Sequence, residues 1–551
     1  MTTRLFVVVL CAAAVAFAMP YRQPNCNTGA HLALVQSLAH GNRTIDAVYG
    51  ESCDTSWWHG HFYANKAPGL ALVTVPWYEL LRAAHMLRPD AAASAGYPEA
   101  IRAIPRRDLW LLGLWGAVLP ALALLVLVRR VAEGVEPGVG TAAAALLGFA
   151  TLVLPFASLL FSHVLAALLG FGAFALLRRN RVAAAGLLAG AAVVVEYPLA
   201  LLALVLAAFA AAERPRVRRL ALFAGCAAIG TAPLLAYDWW AFGSPFHLSY
   251  VGAVLVPGLT GHDVLGANSI GFYGLQLPRL DRALDILVGR RGLLALAPVL
   301  ALAPAGMALL YRRGRRRDAL AIAAMTAAFL VYNAGYYSPL GGATPGPRLL
   351  IPLLPFLAVA LAPVARALPM TTLALAVPSA VNLFVAHATQ PLISPPYTTH
   401  SWWRWTASRS FTETILAPGR HVWPPAAMIA AMSLAALAAA AVSLGRPQRF
   451  DVLPAAVAVV AWVTAHEAFP HLDHSHLGAL AIGATVATML LAARTHSGAA
   501  LAACFAFALV SVHEQVLHSA VVAAAALGLQ LALTRARVVR RSAARAGRAT
   551  S

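Results

Sequence analysis

The residues best suited to chemistry lie in and just before one short stretch, WWHGHFYANKAPGLAL at positions 57–72. Lys66 in this stretch is the only lysine among the 41 lysines and arginines of the chain. Asp46, Glu51 and Asp54 precede it. A carboxylate can act as a general base, an aromatic ring can stack on a sugar face, and a cation can hold a phosphate. The stretch therefore indicates a site for a phosphorylated sugar, and the alternative is an aromatic belt with solvated charges at a membrane surface.

The composition excludes an ordinary soluble protein. Of 551 residues, 60% are hydrophobic and 11% are charged, and the mean hydropathy is +0.72. Apolar runs of roughly 15–21 residues recur along the chain, as in polytopic helical membrane proteins. The net charge of +20 comes from arginine clusters beside these runs, such as RRNR from Arg178 and YRRGRRR from Tyr311. This placement follows the positive-inside rule, so membrane orientation explains the charge better than nucleic-acid binding does.

The chain is predicted to be an all-α polytopic membrane protein with sixteen spans. We interpret the first segment, which resembles a signal peptide, as a retained signal-anchor. The predicted spans lie near 4–19, 109–128, 141–157, 158–178, 182–195, 198–212, 220–238, 292–311, 318–336, 349–367, 369–386, 425–444, 452–468, 477–493, 499–515 and 519–534.

The apolar segment 69–84 decides the topology. If it does not cross the membrane, the arginine clusters fall in the cytoplasm, and if it crosses, nearly all of them fall outside. We therefore predict a re-entrant or interface-lying helix at 69–84 and cytoplasmic N- and C-termini. The long outer loops are then 20–108, 239–291, 337–348 and 387–424.

The first outer loop contains two further features. Apolar residues at Leu32, Val35 and Leu38 predict a short amphipathic helix, from Gly29 to His40, that lies on the membrane. Cys26 and Cys53 share the loop and face an oxidising compartment in this topology. They either form a disulfide that closes a loop of about 28 residues or remain two unpaired thiols.

The order of several segments resembles that of GT-C glycosyltransferases, most closely bacterial family-39-type members related to protein O-mannosyltransferases. In the first loop these are an Asn near the end of the first span, HLALVQSLAHG, an Ile-Asp pair, a further Asp and GHFYANKAPGLAL. Five more segments follow in the family's order. They are LPFASLLFSHVLAALLGFGAFALL (154–177), VVVEYPLALLAL (193–204), LAYDWWAFGSPFHLSY (235–250), RRGLLALAPVL (290–300) and GGATPGPRLLIPLLPFLAV (341–359). The resemblance covers about residues 1–385. Two features depart from it: Asp238 stands where Asn is expected, and no adjacent Asp pair follows the first span.

This resemblance implies a GT-C-like core of about 11–12 spans within residues 1–424. Such an enzyme transfers a sugar, with inversion, from a polyprenyl-phosphate donor in the membrane lipid to a cell-envelope glycan, lipid or protein at the outer face. Asp46 is the first candidate for the catalytic base because it matches the Ile-Asp pair, and Asp54 is the second. Lys66 and Arg348 would bind the phosphate, since an ammonium and a guanidinium group both suit it. No catalytic metal and no cofactor are implied.

Five more residues are candidates for substrate binding. Trp58 and Tyr63 belong to the aromatic residues of the stretch at 57–72. His163, Glu196 and Asp238 stand at the outer ends of three spans and would line a polar cavity. His247 and Arg279 are weaker candidates. Each candidate site residue has a structural alternative: an aspartate can cap a loop, and an arginine at a span end can snorkel.

Residues 425–551 are predicted to form a separate C-terminal membrane module of four helices with a basic cytoplasmic tail. AWVTAHEAFPH (461–471) and ALVSVHEQVLH (508–518) match at an offset of 47 residues, which indicates a duplicated hairpin. The repeated polar residues are His466, Glu467, His471, His513, Glu514 and His518. They could bind zinc or copper, but a spacing of five residues places the two histidines on different helix faces, so hydrogen bonds at helix ends are the alternative.

Two other functions compete with the glycosyltransferase. A secondary transporter would be expected to show inverted repeats and broken midplane helices. The repeat found is direct and the ionisable residues gather at one face, which disfavours transport. A flippase for lipid-linked sugars, or a polymer-assembly scaffold, would carry out no chemistry of its own.

Overall fold

The structure is a computed structural model that describes residues 2–87, 99–251, 271–289, 291–389, 391–392, 409–445, 451 and 455. Helices make up most of the described chain. They are α1 Thr2–Ala18, α2 Cys26–Ala39, α3 Gly69–Ala83, α4 Glu99–Ala103, α5 Arg106–Gly113, α6 Leu119–Val135, α7 Gly140–Phe149, α8 Val153–Phe156, α9 Ser162–Leu177, α10 Val182–Val195, α11 Leu199–Ala211, α12 Arg216–Phe242, α13 Leu280–Val288, α14 Leu293–Leu296, α15 Ala303–Arg312, α16 Arg316–Gly335, α17 Leu354–Ala367, α18 Pro369–Ala388 and α19 Trp423–Leu444. A π-helix at Leu114–Val118 joins α5 to α6, and 3-10 helices cover Asp46–Glu51, Pro298–Leu302 and Arg348–Leu353.

Six helical segments of the described chain are long and apolar enough to cross a membrane, which makes the chain a multi-pass membrane protein. They are Arg106–Val135, Arg216–Phe242, Arg316–Gly335, Arg348–Ala367, Pro369–Ala388 and Trp423–Leu444. Five shorter apolar helices, α1, α7, α9, α10 and α11, lie within predicted spans. The four spans predicted beyond residue 450 lie outside the described residues, so the total of sixteen stays a prediction.

Two predicted spans are broken where proline interrupts the helix. Residues 141–157 form α7 and α8 instead of one helix, because the Pro155 ring conflicts with a helical carbonyl at Thr151, four residues earlier. Residues 292–311 form α14, a 3-10 helix and α15. Ala297, which precedes Pro298, has φ −127° and ψ 67°, since a residue before proline is disfavoured in the α region.

Two short antiparallel sheets qualify the prediction of an all-α fold. β1 (Pro20–Tyr21) pairs with β4 (Glu413–Thr414), and β2 (Thr55–Trp58) pairs with β3 (His61–Ala64). In the second sheet the two turn residues, His59 and Gly60, both have positive φ, as a two-residue hairpin turn requires. Both sheets involve segments that sequence analysis assigned to outer loops.

The helix predicted to lie on the membrane is instead internal. α2 is buried from Asn27 to Ser37, and it packs against α3. Its first turn is closed by a capping box between Asn25 and Thr28, which satisfies backbone N–H groups that have no partner within the helix. The error arose because apolar residues three apart fit a surface helix, while the small and polar residues between them are buried here too.

The helix predicted at 69–84 is observed as α3, and its placement at a membrane interface stays a prediction. One side of α3 is buried, whereas Leu72, Val73 and Leu80 are exposed. At its start, Gly69 packs so closely on α10 that an added Cβ would lie 2.6 Å from the Val194 carbonyl oxygen.

The arginine clusters within the described residues, up to Arg317, lie together at one end of the helices. Arg178 after α9 is 3.2 Å from Asp318 at the start of α16, and Arg219 near the start of α12 is 2.8 Å from Glu213. The opposite end of α12 packs against the β2–β3 hairpin. The basic loops and the first outer loop are therefore at opposite ends of the bundle. Which side of the membrane each end faces stays a prediction.

α19 is the described part of the predicted C-terminal module, and it packs on the core. It contacts α1, α7 and α18. Asp451 accepts hydrogen bonds from the backbone N–H groups of Met370 and Thr371 at the start of α18. The boundary at residue 424 stays a prediction, and the remainder of the module lies outside the described residues.

We expect Gly29→Ala to destabilise the protein by about 1–3 kcal/mol, as overpacking of a core does. An added Cβ would overlap the backbone carbonyl oxygen of Glu51, which cannot swing away as a side chain can. The midpoint of thermal unfolding in detergent measures this effect. Gly134→Ala in α6 is the control, since its Cβ would meet nothing within 4 Å. Equal midpoints for the two variants would contradict the prediction.

Candidate active site

An ion pair between Asp54 and Lys66 forms the centre of the candidate site. The β2–β3 hairpin brings the two residues together, and the Asn65 N–H donates to the Asp54 carbonyl oxygen (3.2 Å) at its open end. Lys66 Nζ donates to Asp54 Oδ2 and to Asn65 Oδ1, each at 2.8 Å. The Lys66 and Asp54 side chains are only 13% and 16% exposed. A single charge would be costly at this depth, so each stabilises the ionised form of the other.

Asp54 is fixed in place by the residues just before it. Cys53 is disulfide-bonded to Cys26 at the start of α2, which resolves the alternative that sequence analysis left open. The Ser52 hydroxyl donates to the Cys26 carbonyl oxygen (2.6 Å) and accepts from the Asp54 N–H (2.8 Å). These contacts tie the carboxylate to a buried helix, so its position does not depend on a free loop.

Burial and two neighbouring charges set the protonation of Lys66. Burial lowers its pKa below the ordinary 10.5, the Asp54 carboxylate raises it part of the way back, and the Arg348 guanidinium lowers it again. Two of its three N–H donors are used by Asp54 and Asn65. Within the described ranges the third N–H has no partner, so it can serve a ligand.

His31 in α2 adds a neutral, unpartnered ring to the site. Burial lowers its pKa well below 6.5, and the positive charge of Lys66 lowers it further. Its two ring nitrogens have no hydrogen-bond partner among the residues that the structure describes. Sequence analysis missed His31 because it stands among the apolar residues of the segment assigned to the membrane surface.

Arg348 approaches the ion pair from the loop before α17. Its guanidinium lies 5.3 Å from the centre of the Phe161 ring and close enough to Asp54 and Glu196 for their charges to act on it. Its buried Nε has no partner in the described part of the chain. Gly341, with φ +79°, leaves room for this side chain, since an added Cβ would be 2.7 Å from Arg348 Cγ.

His163 and Glu196 form a second polar group beside Arg348. His163 Nδ1 lies against Glu196 Oε1, which also accepts a hydrogen bond from the Ser162 hydroxyl at 2.8 Å. Phe161 makes an edge contact with the His163 ring and also lies under Arg348. The structure therefore brings four predicted site residues, Lys66, Arg348, His163 and Glu196, together with Asp54.

A serine that sequence analysis did not single out links three segments of the site. The Ser249 hydroxyl donates to the Lys66 carbonyl oxygen (3.0 Å) and lies 2.9 Å from the Tyr197 hydroxyl. The Ser56 hydroxyl donates to the Ser249 carbonyl oxygen (2.5 Å). Ser249 lies within the segment LAYDWWAFGSPFHLSY, and only this placement in a quoted segment could have indicated it.

Asp238 is fully buried near the end of α12. Its two carboxylate oxygens accept no hydrogen bond from any residue of the described chain, and its charge acts on the neighbouring Tyr197. Tyr197 also contacts Ser249, whose hydroxyl donates to the Lys66 carbonyl oxygen. A direct role in substrate binding stays a prediction.

Asp46 does not join this cluster. Its Oδ1 accepts a hydrogen bond from the Phe62 N–H (2.7 Å), and its Oδ2 lies 2.7 Å from His61 Nδ1. The His61 and Asp46 side chains are 51% and 41% exposed. This is the loop-capping role that was the alternative for Asp46, and the geometry favours Asp54 as the candidate base.

The aromatic candidates differ in their surroundings. The Tyr63 hydroxyl donates to the Ala241 carbonyl oxygen (3.1 Å), so this buried ring joins the hairpin to α12. Trp58 packs against His247 with ring centres 4.3 Å apart, and its buried Nε1 has no partner in the described ranges. Arg279 pairs with Asp281 at the surface and lies outside the cluster.

No group of three or more metal-binding side chains is found in the described part of the chain. The histidine–glutamate repeats of the C-terminal module lie beyond it, so metal binding there stays a hypothesis.

Two solved structures are similar to this chain. Both are crystal structures of ArnT from Cupriavidus metallidurans. The structure bound to undecaprenyl phosphate shows 16% identity and a TM-score of 0.46 over 92% of this chain and 76% of that chain. For the apo state, identity is 15% and the TM-score 0.44, over 93% and 77%. No family model and no curated protein sequence matches the chain.

We expect the Asp54–Lys66 pair to show strong coupling in a double-mutant cycle. Asp54→Asn or Lys66→Met alone leaves one charge shielded from water without its partner, which should cost about 1–3 kcal/mol. The double variant should regain part of that loss because no charge remains. The midpoints of thermal unfolding in detergent would show whether the double variant loses less stability than the two single variants lose together. Additive losses in the double variant would contradict the coupling.

Proposed function

We propose that this protein is a membrane glycosyltransferase that transfers a sugar, with inversion, from a polyprenyl-phosphate donor to a cell-envelope acceptor at the outer face. The observation that carries the proposal is the shielded Asp54–Lys66 pair with Arg348 beside it. A general base and two phosphate-binding cations then stand within one polar cluster at the end of a membrane helix bundle. The resemblance to GT-C enzymes supports the same function.

The reaction uses these residues in distinct roles. The acceptor hydroxyl loses its proton to Asp54 while its oxygen attacks the anomeric carbon from the face opposite the lipid phosphate. The bond between the anomeric carbon and the phosphate oxygen breaks, and the polyprenyl phosphate leaves. Lys66 and Arg348 stabilise the negative charge that develops on that phosphate. When the phosphate engages Lys66, Asp54 loses part of its ion pair and becomes a stronger base.

The second polar group, formed by His163 and Glu196, has a supporting role in this proposal. Its carboxylate acts on Arg348 and is held by Ser162 and His163, so it limits where the guanidinium can lie. His31 is neutral and presents unpartnered ring nitrogens, which suits a hydrogen bond to a sugar hydroxyl.

We expect Asp54→Asn to reduce sugar transfer about 100-fold to 10,000-fold, the range attributed to general acid–base catalysis. The purified protein in nanodiscs would receive labelled polyprenyl-phosphate sugars and a crude cell-envelope acceptor. Asp46→Asn is the matched control and should keep most of the activity, because Asp46 caps the hairpin away from the cluster. Donor lipids that bind but are never consumed, with all variants alike, would contradict the proposal and favour a flippase.

The affinity for undecaprenyl phosphate should fall as the pH rises, and this decline should begin below pH 10.5, the ordinary pKa of lysine. The lowered pKa of Lys66 is the cause, because the neutral amine no longer attracts phosphate. Asp54→Asn removes the charge that raises this pKa, so the decline should move to lower pH. Lys66→Arg should abolish it, since a guanidinium stays protonated. Identical pH profiles in titrations of all three proteins would contradict the assignment.

A further inference from the structure

His31 in α2 has hydrogen-bonding capacity that the described part of the chain does not use. The residue is 1% exposed, and both ring nitrogens are shielded from water without a partner among the described residues. The polar ring therefore loses its hydration on folding and gains no hydrogen bond in return. Buried polar groups in folded proteins are nearly always paired, so an unpaired one calls for a reason. A ligand that supplies the missing hydrogen bond is such a reason.

The backbone holds the His31 ring in this position. The disulfide between Cys26 and Cys53 ties the start of α2 to the segment that carries the candidate base. Gly29, two residues before His31, packs directly on the backbone of Glu51. Because of these contacts, α2 cannot shift to bring the ring into water, and the ring stays in the candidate site.

Four side chains of the candidate site act electrostatically on the His31 ring. They are Lys66, His163, Asp54 and Arg348. Burial lowers the pKa of His31 well below 6.5, and the charge of Lys66 lowers it further. The ring is therefore neutral near pH 7, with one N–H donor and one acceptor nitrogen. It lies near both cations that are proposed to bind phosphate and near the proposed base.

This position is the one that the reacting end of a donor sugar would occupy. In a transfer with inversion, the acceptor oxygen and the phosphate oxygen lie on opposite faces of the anomeric carbon. Asp54 serves the first face, and Lys66 and Arg348 serve the second. A side chain near all three residues lies beside the anomeric carbon, whose remaining heavy-atom neighbours are the ring oxygen and carbon 2.

A hydroxyl group on carbon 2 suits the neutral imidazole of His31 better than the ring oxygen does. The hydroxyl group can donate and accept, as the imidazole can. The ring oxygen only accepts, and it becomes electron-poor when the sugar passes through an oxocarbenium-like transition state. An N–H group aimed at the ring oxygen would oppose the reaction, whereas a hydrogen bond to the neighbouring hydroxyl group would not.

We propose that His31 binds the hydroxyl group on carbon 2 of the donor sugar and thereby decides which donors bind. The preferred donors are polyprenyl-phosphate hexoses with a free hydroxyl group on that carbon. A 2-deoxy sugar leaves the imidazole unpaired, and a 2-acetamido sugar adds volume against an enclosed ring. This assignment rests on the proposed function, because it takes Lys66 and Arg348 as the ligands of the donor phosphate.

The test compares the binding of defined donors to the purified full-length protein in nanodiscs. The probes are undecaprenyl phosphate and its conjugates with glucose, mannose, 2-deoxyglucose and N-acetylglucosamine. Glucose and mannose differ only at carbon 2, and 2-deoxyglucose is the deoxy form of both. The tighter-binding of the two hexose conjugates should bind about tenfold to 100-fold more tightly than the 2-deoxyglucose conjugate, the effect of leaving a buried polar group unpaired. The N-acetylglucosamine conjugate should also bind more weakly.

Two variants assign this difference to His31. His31→Leu should remove the difference between the hexose and 2-deoxyglucose conjugates, and it should bind undecaprenyl phosphate itself as the unaltered protein does. Its midpoint of thermal unfolding should not fall, since the unpaired ring has no hydrogen bond to lose. His31→Gln keeps a donor and an acceptor and should retain part of the difference.

Three results would contradict different parts of the account. Equal affinities for the hexose and 2-deoxyglucose conjugates in the unaltered protein, or a difference that persists in His31→Leu, would overturn the assignment of His31 alone. Absence of binding by every undecaprenyl phosphate compound would overturn both the assignment and the proposed function. Donors that bind with the expected difference but are never transferred would support the assignment and contradict only the transferase.

Discussion

The shielded ion pair between Asp54 and Lys66 is the constraint on which the described site depends. A lone carboxylate or ammonium group at 13–16% exposure loses much of its hydration, and only a partner held at hydrogen-bonding distance offsets that loss. The backbone must hold both side chains in place, because in a mobile loop water would hydrate each charge and the ion pair would separate. The hairpin, the Cys26–Cys53 disulfide and the Ser249 hydroxyl supply this support from three sides.

Distant segments of the chain meet around the Asp54–Lys66 pair. Lys66 is contacted from the segment after α12 through Ser249, and Arg348 enters from the loop before α17. At the other end of the bundle, arginine–carboxylate pairs such as Arg178–Asp318 join neighbouring helices, here the end of α9 and the start of α16. Arginine–carboxylate pairs lie at the basic end of the bundle, while the charges at the opposite end converge on one small polar cluster.

Much of this arrangement could be predicted from local sequence. The long helices follow from apolar length, and Lys66 and Arg348 were predicted as site residues because the resemblance implies a phosphate ligand and both cations suit phosphate. What could not be predicted depended on tertiary contacts. Asp46 ranked above Asp54 in sequence because it matches the Ile-Asp pair, and only the hairpin register shows that Asp46 lies beside His61 while Asp54 lies beside Lys66. His31 was missed for the related reason that the apolar pattern of α2 fits a surface helix, whereas its polar residues are buried as well. Pro155 and Pro298 are local signals for a break in a helix. The prediction of one long span across each of them did not take these signals into account.

The most direct test of the account is a cryo-electron microscopy structure of the protein with undecaprenyl phosphate in nanodiscs. We expect density for the phosphate within hydrogen-bonding distance of Lys66 Nζ and the Arg348 guanidinium, with the Asp54 carboxylate turned toward the space where an acceptor would enter. Phosphate density elsewhere, for example beside Asp46 and His61, with the Asp54–Lys66 pair unchanged, would contradict this assignment.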